Sequence, residues 1–177
     1  HADAPVSLAA EHSIETAGRI VETEAYLPDD PASHSFGGPT PRSEVMFRRG
    51  GLAYVYLIYG VHYCFNVVTE AEGHGSAVLV RAIEPTHGLK KMHERRGAPE
   101  RVQPRPSVTN GPAKLAQALA ISRERDNGVS LQHSDLVIAS HIEGHTCPAD
   151  HEDNGSAGRE PFTVGTRSRV GLSRATD

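Results

Sequence analysis

Tryptophan is missing from this 177-residue chain, aromatic residues make up only 5% of it, and only two cysteines occur. Each shortage excludes something. Cys64 and Cys147 form no spacing pattern, which rules out a disulfide framework and reads as two free thiols in a reducing compartment. No apolar run approaches the roughly 20 residues of a membrane-spanning helix, and the first residues lack the charged-then-apolar layout of a signal peptide. The expectation is therefore a cytoplasmic protein without a membrane partner. No internal repeat is apparent. Because aromatics are scarce, their placement carries weight: four of the five tyrosines fall between Tyr54 and Tyr63.

The length predicts one domain over residues 1–177, since domains cluster near 100–150 residues. The chain opens at His1 instead of Met and is read as a fragment of its natural product. A net charge of −4 is unlike that of most nucleic-acid binders, but its distribution is uneven. Residues 81–106 hold seven Lys or Arg against three acids, and residues 126–162 hold seven acids against one Arg. A local basic surface can bind phosphates while the acidic remainder repels them.

The stretch Arg19 to Tyr26 organises the rest. Read as a strand, its alternation puts Glu22, Glu24 and Tyr26 on one face and Val21 and Thr23 on the other. A carboxylate beside an aromatic on a rigid element is a candidate general base; two solvated glutamates on an edge strand are the plainer alternative. Leu27 to Thr40 is broken by prolines and glycines into a loop, and its His34 is close enough to Tyr26 to fold back over the strand. Leu52 to Thr69 is β-branched and aromatic and is expected to be strand, with a bulge or bend at Tyr59-Gly60. Period-2 counting sets Tyr54 and Tyr56 on one side and Val55, Leu57 and Tyr59 on the other, so some tyrosines face outward. Ala77 to Glu84 is a nearly apolar strand in which Arg81 needs an acidic partner. Pro85 is expected to open a helix that Gly97 stops, residues 98–109 to form a loop, Pro112 to begin a helix with Leu115 and Leu119 on one face, and Leu136 to Ala139 to form a short strand.

One set of residues suggests a different chemistry. His141, His145, Cys147, His151, Glu152 and Asp153 could serve a metal-dependent hydrolase, yet their spacing matches no known ligand set and their Pro and Gly neighbours read as loop. No metal or other cofactor is expected.

Several blocks then occur in a telling order: Gly18-Arg19-Ile20-Val21-Glu22-Thr23-Glu24-Ala25-Tyr26, His34-Ser35 with Gly37-Gly38, Thr40-Pro41-Arg42, Met46-Phe47, Tyr54-Val55-Tyr56 with Tyr59-Gly60, Asn66, Leu79-Val80-Arg81-Ala82, Glu84-Pro85, and Gly111-Pro112-Ala113-Lys114-Leu115. In this order and spacing, over about residues 17–128, they resemble the alkyladenine (3-methyladenine) DNA glycosylase family in its bacterial form. Arg169-Val170-Gly171-Leu172 resembles its C-terminal strand. The segment before Gly18 and the end at Asp177 look shorter than in the family.

The resemblance implies an α+β fold, a mixed domain around a curved antiparallel sheet with a protruding hairpin that enters DNA. The activity implied is hydrolysis of the N-glycosidic bond of alkylated or deaminated purines in double-stranded DNA by a monomer. Residue by residue, Glu24 matches the family's general base and Arg81 the group that helps hold the attacking water. Tyr26, His34 and Tyr56 match the pocket walls, and Asn66 the residue against the purine edge. Tyr59 matches the wedge that fills the gap left by a flipped nucleotide. Arg42 and Lys114 are read as phosphate contacts. No lysine lies in the matched active-site motifs, which argues against Schiff-base chemistry. A non-catalytic module that binds damaged DNA through the same pocket is the remaining alternative.

Overall fold

The computed structural model describes residues 14–97 and 105–139. Its framework is a four-stranded, wholly antiparallel sheet in the order β1-β4-β3-β2, made of β1 (Ala17–Tyr26), β2 (Ala53–Ile58), β3 (His62–Val68) and β4 (Ala77–His87). Short helices follow: α1 (Leu89–Arg95), α2 (Arg105–Thr109), α3 (Pro112–Ala118) and α4 (Arg123–Asp126). This is the mixed α and β architecture around an antiparallel sheet that the sequence predicts.

Alternation along each strand sorts the side chains into two layers. Ala53 and Val55 of β2, Phe65 of β3, and Val80 and Ile83 of β4 pack against Leu115 and Ala116 of α3. On the opposite face Leu52, Tyr54, Val68 and Ala77 pack against Val45 and Met46, which a 3-10 turn at Glu44–Phe47 carries in from the long loop. The helical face is thus mainly apolar core. The loop face is where polar groups gather.

The pairing of β1 with β4 shifts register between Ala17 and Gly18 and again around Glu22, and the second irregularity matters. Ile20 pairs with Ile83, Glu22 with Ala82 and Thr23 with Val80, so the register shifts on both sides of Glu22. Val80 and Ile83 lie three apart yet pack in one cluster, which a regular strand of period 2 forbids. Val21 on β1 and Arg81 on β4 are each left out of the register as a bulge, and bulges re-aim side chains.

Four expectations are corrected. The run Leu52 to Thr69 is two strands of a hairpin: Tyr59 (φ 53) and Gly60 (φ 72) both take left-handed backbone, and the Val61 N–H donates to the Ile58 carbonyl at 3.2 Å. Pro85 does not open a helix; β4 runs through it to His87. Proline is tolerated there because β3 pairs with β4 only over Ala77 to Leu79, leaving one edge of β4 open beyond that point. The strand ends at Gly88, whose φ of 70 turns the chain into α1, and the helix stops before Gly97 (φ 61) as predicted. Residues 105–109 of the expected loop are helical, because Val108 and Thr109 are fully buried and the Thr109 hydroxyl donates to the Ile83 carbonyl at 2.6 Å; residues 98–104 lie outside the described residues. Leu136 to Ala139 forms no strand, its ordering contact being the Ile138 N–H to the Leu131 carbonyl at 3.0 Å. The helix beginning at Pro112 forms as expected, with Leu115 fully buried.

Candidate active site

The bulged meeting of β1 and β4 builds a charged centre on the loop face. Glu24 is only 7% exposed and both of its oxygens accept hydrogen bonds: Oε2 from Nη1 of Arg81, and Oε1 from the Tyr26 hydroxyl at 2.6 Å. Arg81 also donates from Nε to Oε1 of Glu22 at 3.1 Å. Desolvation works against the Arg81 charge, but its bonds to Glu22 and Glu24 outweigh that and hold it above its ordinary value. A buried carboxylate is costly without partners, and Glu24 has them. Of the roughly four lone-pair directions on a carboxylate, two are taken, so Glu24 can still accept from a water.

Beside this centre opens a cleft lined by Tyr26, Ala32, His34, Met46, Tyr54, Tyr56 and Asn66. His34 comes from the loop, and its Nδ1 meets the Tyr54 hydroxyl at 2.8 Å while its ring stands edge-on to Tyr56, 4.6 Å between centres. The expectation from sequence is that His34 folds back over β1; in the structure its hydrogen bond and ring contacts go to Tyr54 and Tyr56 of β2. Asn66 is 3% exposed and donates from Nδ2 to the Tyr54 carbonyl at 3.1 Å. Burial pushes the Tyr54 hydroxyl up to about 12, and burial followed by the adjoining Cys64 raises that of Tyr56. Burial first, and then the Arg42 charge, holds His34 below its ordinary value. At neutral pH the walls are uncharged and aromatic, which suits a flat ring of low electron density or positive charge.

The other predicted residues stand elsewhere. Tyr59 is 88% exposed at the hairpin tip, flanked by exposed Leu57 and Val61. Exposed Arg42 has its guanidinium carbon 5.3 Å from the Tyr56 ring centre and reaches the Leu57 carbonyl at 3.4 Å. Lys114 belongs to α3, in the helical layer, where its Nζ donates to Oδ1 of Asn110 at 2.8 Å. Cys64 is a buried free thiol. The His- and acid-rich set from His141 to Asp153 and Cys147 lies outside the described residues; among the described residues no His, Cys, Asp and Glu cluster could hold a metal. No helix among them is long and apolar enough to cross a membrane.

Comparison with known proteins adds the decisive observation: the family model for methylpurine-DNA glycosylase matches residues 6–177. The chain belongs to the methylpurine-DNA glycosylase family. These are hydrolytic DNA repair enzymes that act on damaged DNA. Similar curated proteins, named for 3-methyladenine DNA glycosylase activity, occur in Rhodopseudomonas palustris (58% identical, over 68% of this chain and 56% of the relative), Methanoculleus marisnigri (46%, over 93% and 77%) and Nitrosospira multiformis (44%, over 90% and 72%).

Within this chain, the structure unites Glu24, Arg81 and Tyr26 in one centre, and Tyr26, His34, Tyr56 and Asn66 in one cleft. Tyr26 belongs to both, so a ring seated in the cleft lies next to the carboxylate. Sequence reasoning passed over Tyr54, although its position two before Tyr56 already put it on the same face. It also gave Glu22 no role, and its contact with Arg81, 59 residues away, leaves no local signal.

Proposed function

We propose that this chain releases alkylated or deaminated purines, such as 3-methyladenine, 7-methylguanine and hypoxanthine, from duplex DNA and leaves an abasic site. Its own residues divide the work. A base inside a duplex is out of reach, so the nucleotide is flipped into the aromatic cleft, where Tyr26, His34 and Tyr56 face it and Asn66 meets the purine edge. Tyr59 at the hairpin tip fills the gap in the stack, and Arg42 and Lys114 serve phosphates. Glu24 takes a proton from a water that Arg81 helps to hold, the water oxygen bonds to C1′ of the sugar, and the C1′–N bond breaks with its electron pair leaving on the purine. A cationic alkylated purine departs neutral, and a neutral lesion leaves more slowly because it needs a proton of its own. No lysine lines the cleft, so the reading is monofunctional hydrolysis, by a monomer without a cofactor, on the DNA of the cytoplasm.

The observation that carries this reading is the buried Glu24, hydrogen-bonded by Arg81 and Tyr26 at the edge of the aromatic cleft. The test is release of free base from alkylated DNA. Wild-type protein releases it equally with and without EDTA, whereas Glu24→Gln binds the lesion and releases at least about a hundredfold less, since an amide keeps the shape and loses the basicity. Binding without release by the wild type would favour a damage-binding module.

A further inference from the structure

Glu22 is the member of the charged centre for which the proposed hydrolysis has no task. It is nevertheless placed with care. It sits between two register shifts of β1 on β4, opposite Ala82, and its carboxylate receives Nε of Arg81 while Nη1 of the same guanidinium goes to Glu24. The pair is not a surface accident: the Arg81 side chain is 26% exposed, and the Glu22 side chain at 37% forms the solvent side of the clamp.

One physical consequence follows. A guanidinium is a rigid planar fork, and one gripped through two different nitrogens has its orientation set, whereas one gripped once can swing about its side-chain bonds.

We propose that Glu22 is a positioning residue of the hydrolytic centre, holding Arg81 so that it presents a fixed edge to Glu24 and water. This rests on the reading that Glu24 is the base. The role is exerted through Arg81, not through contact with DNA, and that distinguishes it from a lesion-binding or merely structural role.

The experiment measures single-turnover base release from a duplex with one hypoxanthine, and affinity for a duplex with an abasic site, using the full chain. Glu22→Gln is expected to slow release by about ten- to hundredfold, the scale on which small misplacements act, with affinity unchanged. Glu22→Asp, which keeps the charge but shortens the reach, recovers part of that rate. In an Arg81→Met background Glu22→Gln adds no further loss, because the two residues act as one unit. Wild-type release by Glu22→Gln, an equal loss of affinity, or a full additional loss in the Arg81→Met background each overturns the proposal. Should Glu22→Gln fail to fold, Glu22→Asp decides alone, and a wild-type rate there overturns it. Measuring Glu24→Gln alongside separates the two readings: if it is inactive while Glu22→Gln is normal, only the role of Glu22 is lost, and if Glu24→Gln turns over normally the base assignment falls as well.

Discussion

His34 shows how much a single side chain owes to its surroundings. Free in a loop it would titrate near pH 6.5; buried against Tyr54 and Tyr56, with Arg42 close by, it is held lower. The unfolded chain therefore binds a proton more readily than the folded one in this range. The stability contributed is fully present above about pH 6.5 and is lost as the pH falls through the lower, folded value. Melting temperature measured from pH 7.5 down to 5 should decline in the wild type and decline less in His34→Gln; parallel declines would show that His34 is not the group responsible. Burial keeps the Tyr54 and Tyr56 hydroxyls protonated across this range, so these two walls of the cleft do not change charge as His34 begins to titrate.

The β2–β3 hairpin is the element on which the proposed recognition depends. Its strands hold Tyr54, Tyr56 and Asn66 on the loop face, and its tip holds Tyr59 in left-handed backbone, a conformation uncommon for a tyrosine. Such strain persists where the surroundings impose it and often marks function. If Tyr59 acts as a wedge, its contribution belongs to the flipping equilibrium, where base–aromatic stacking is worth roughly 1–3 kcal/mol. Single-turnover release by Tyr59→Ala should then fall strongly on a fully paired lesion duplex and much less on a lesion opposite a mismatch, which opens more easily. Tyr56→Ala, in the cleft wall, should fall alike on both. Equal defects for Tyr59→Ala in the two contexts would place its effect in folding or in the cleft.

For the whole molecule the question is how an acidic chain holds DNA. Arg42, Arg48, Arg49 and Lys90 are exposed, whereas Lys91 and Arg95 are engaged by Glu15, and Lys91 and Arg95 are correspondingly less able to reach phosphates. If these four and Lys114 all meet the backbone, the logarithm of affinity should fall with the logarithm of salt concentration with a slope of about −4.5. Titrations of duplex DNA at several salt concentrations measure it, and Arg48→Gln should reduce the slope by about one. A flat response would remove this face from the DNA contact.

What the sequence determined by itself is whatever depends on neighbours along the chain. Alternation put Glu22, Glu24 and Tyr26 on one face, separated Tyr54 and Tyr56 from Val55, and left Tyr59 outward; Pro112 and Gly97 marked helix ends through their own backbone preferences. These rules need only a few consecutive residues, and they held. The demand of Arg81 for an acid was legible too, because a charge among apolar strand residues must be paired. The identity of its partners was legible only as a pattern match, and their geometry not at all. Tertiary structure decided that β1 would lie beside β4 with bulges around Glu22, so that one guanidinium meets two carboxylates 57 and 59 residues away. It also carried β4 through Pro85, where an open sheet edge removes the usual penalty, and it wound residues 105–109 into a helix because burial of Val108 and the Thr109 bond to Ile83 outweigh the local preference for loop. In each case the deciding interaction joins residues far apart in sequence, and no local preference encodes it.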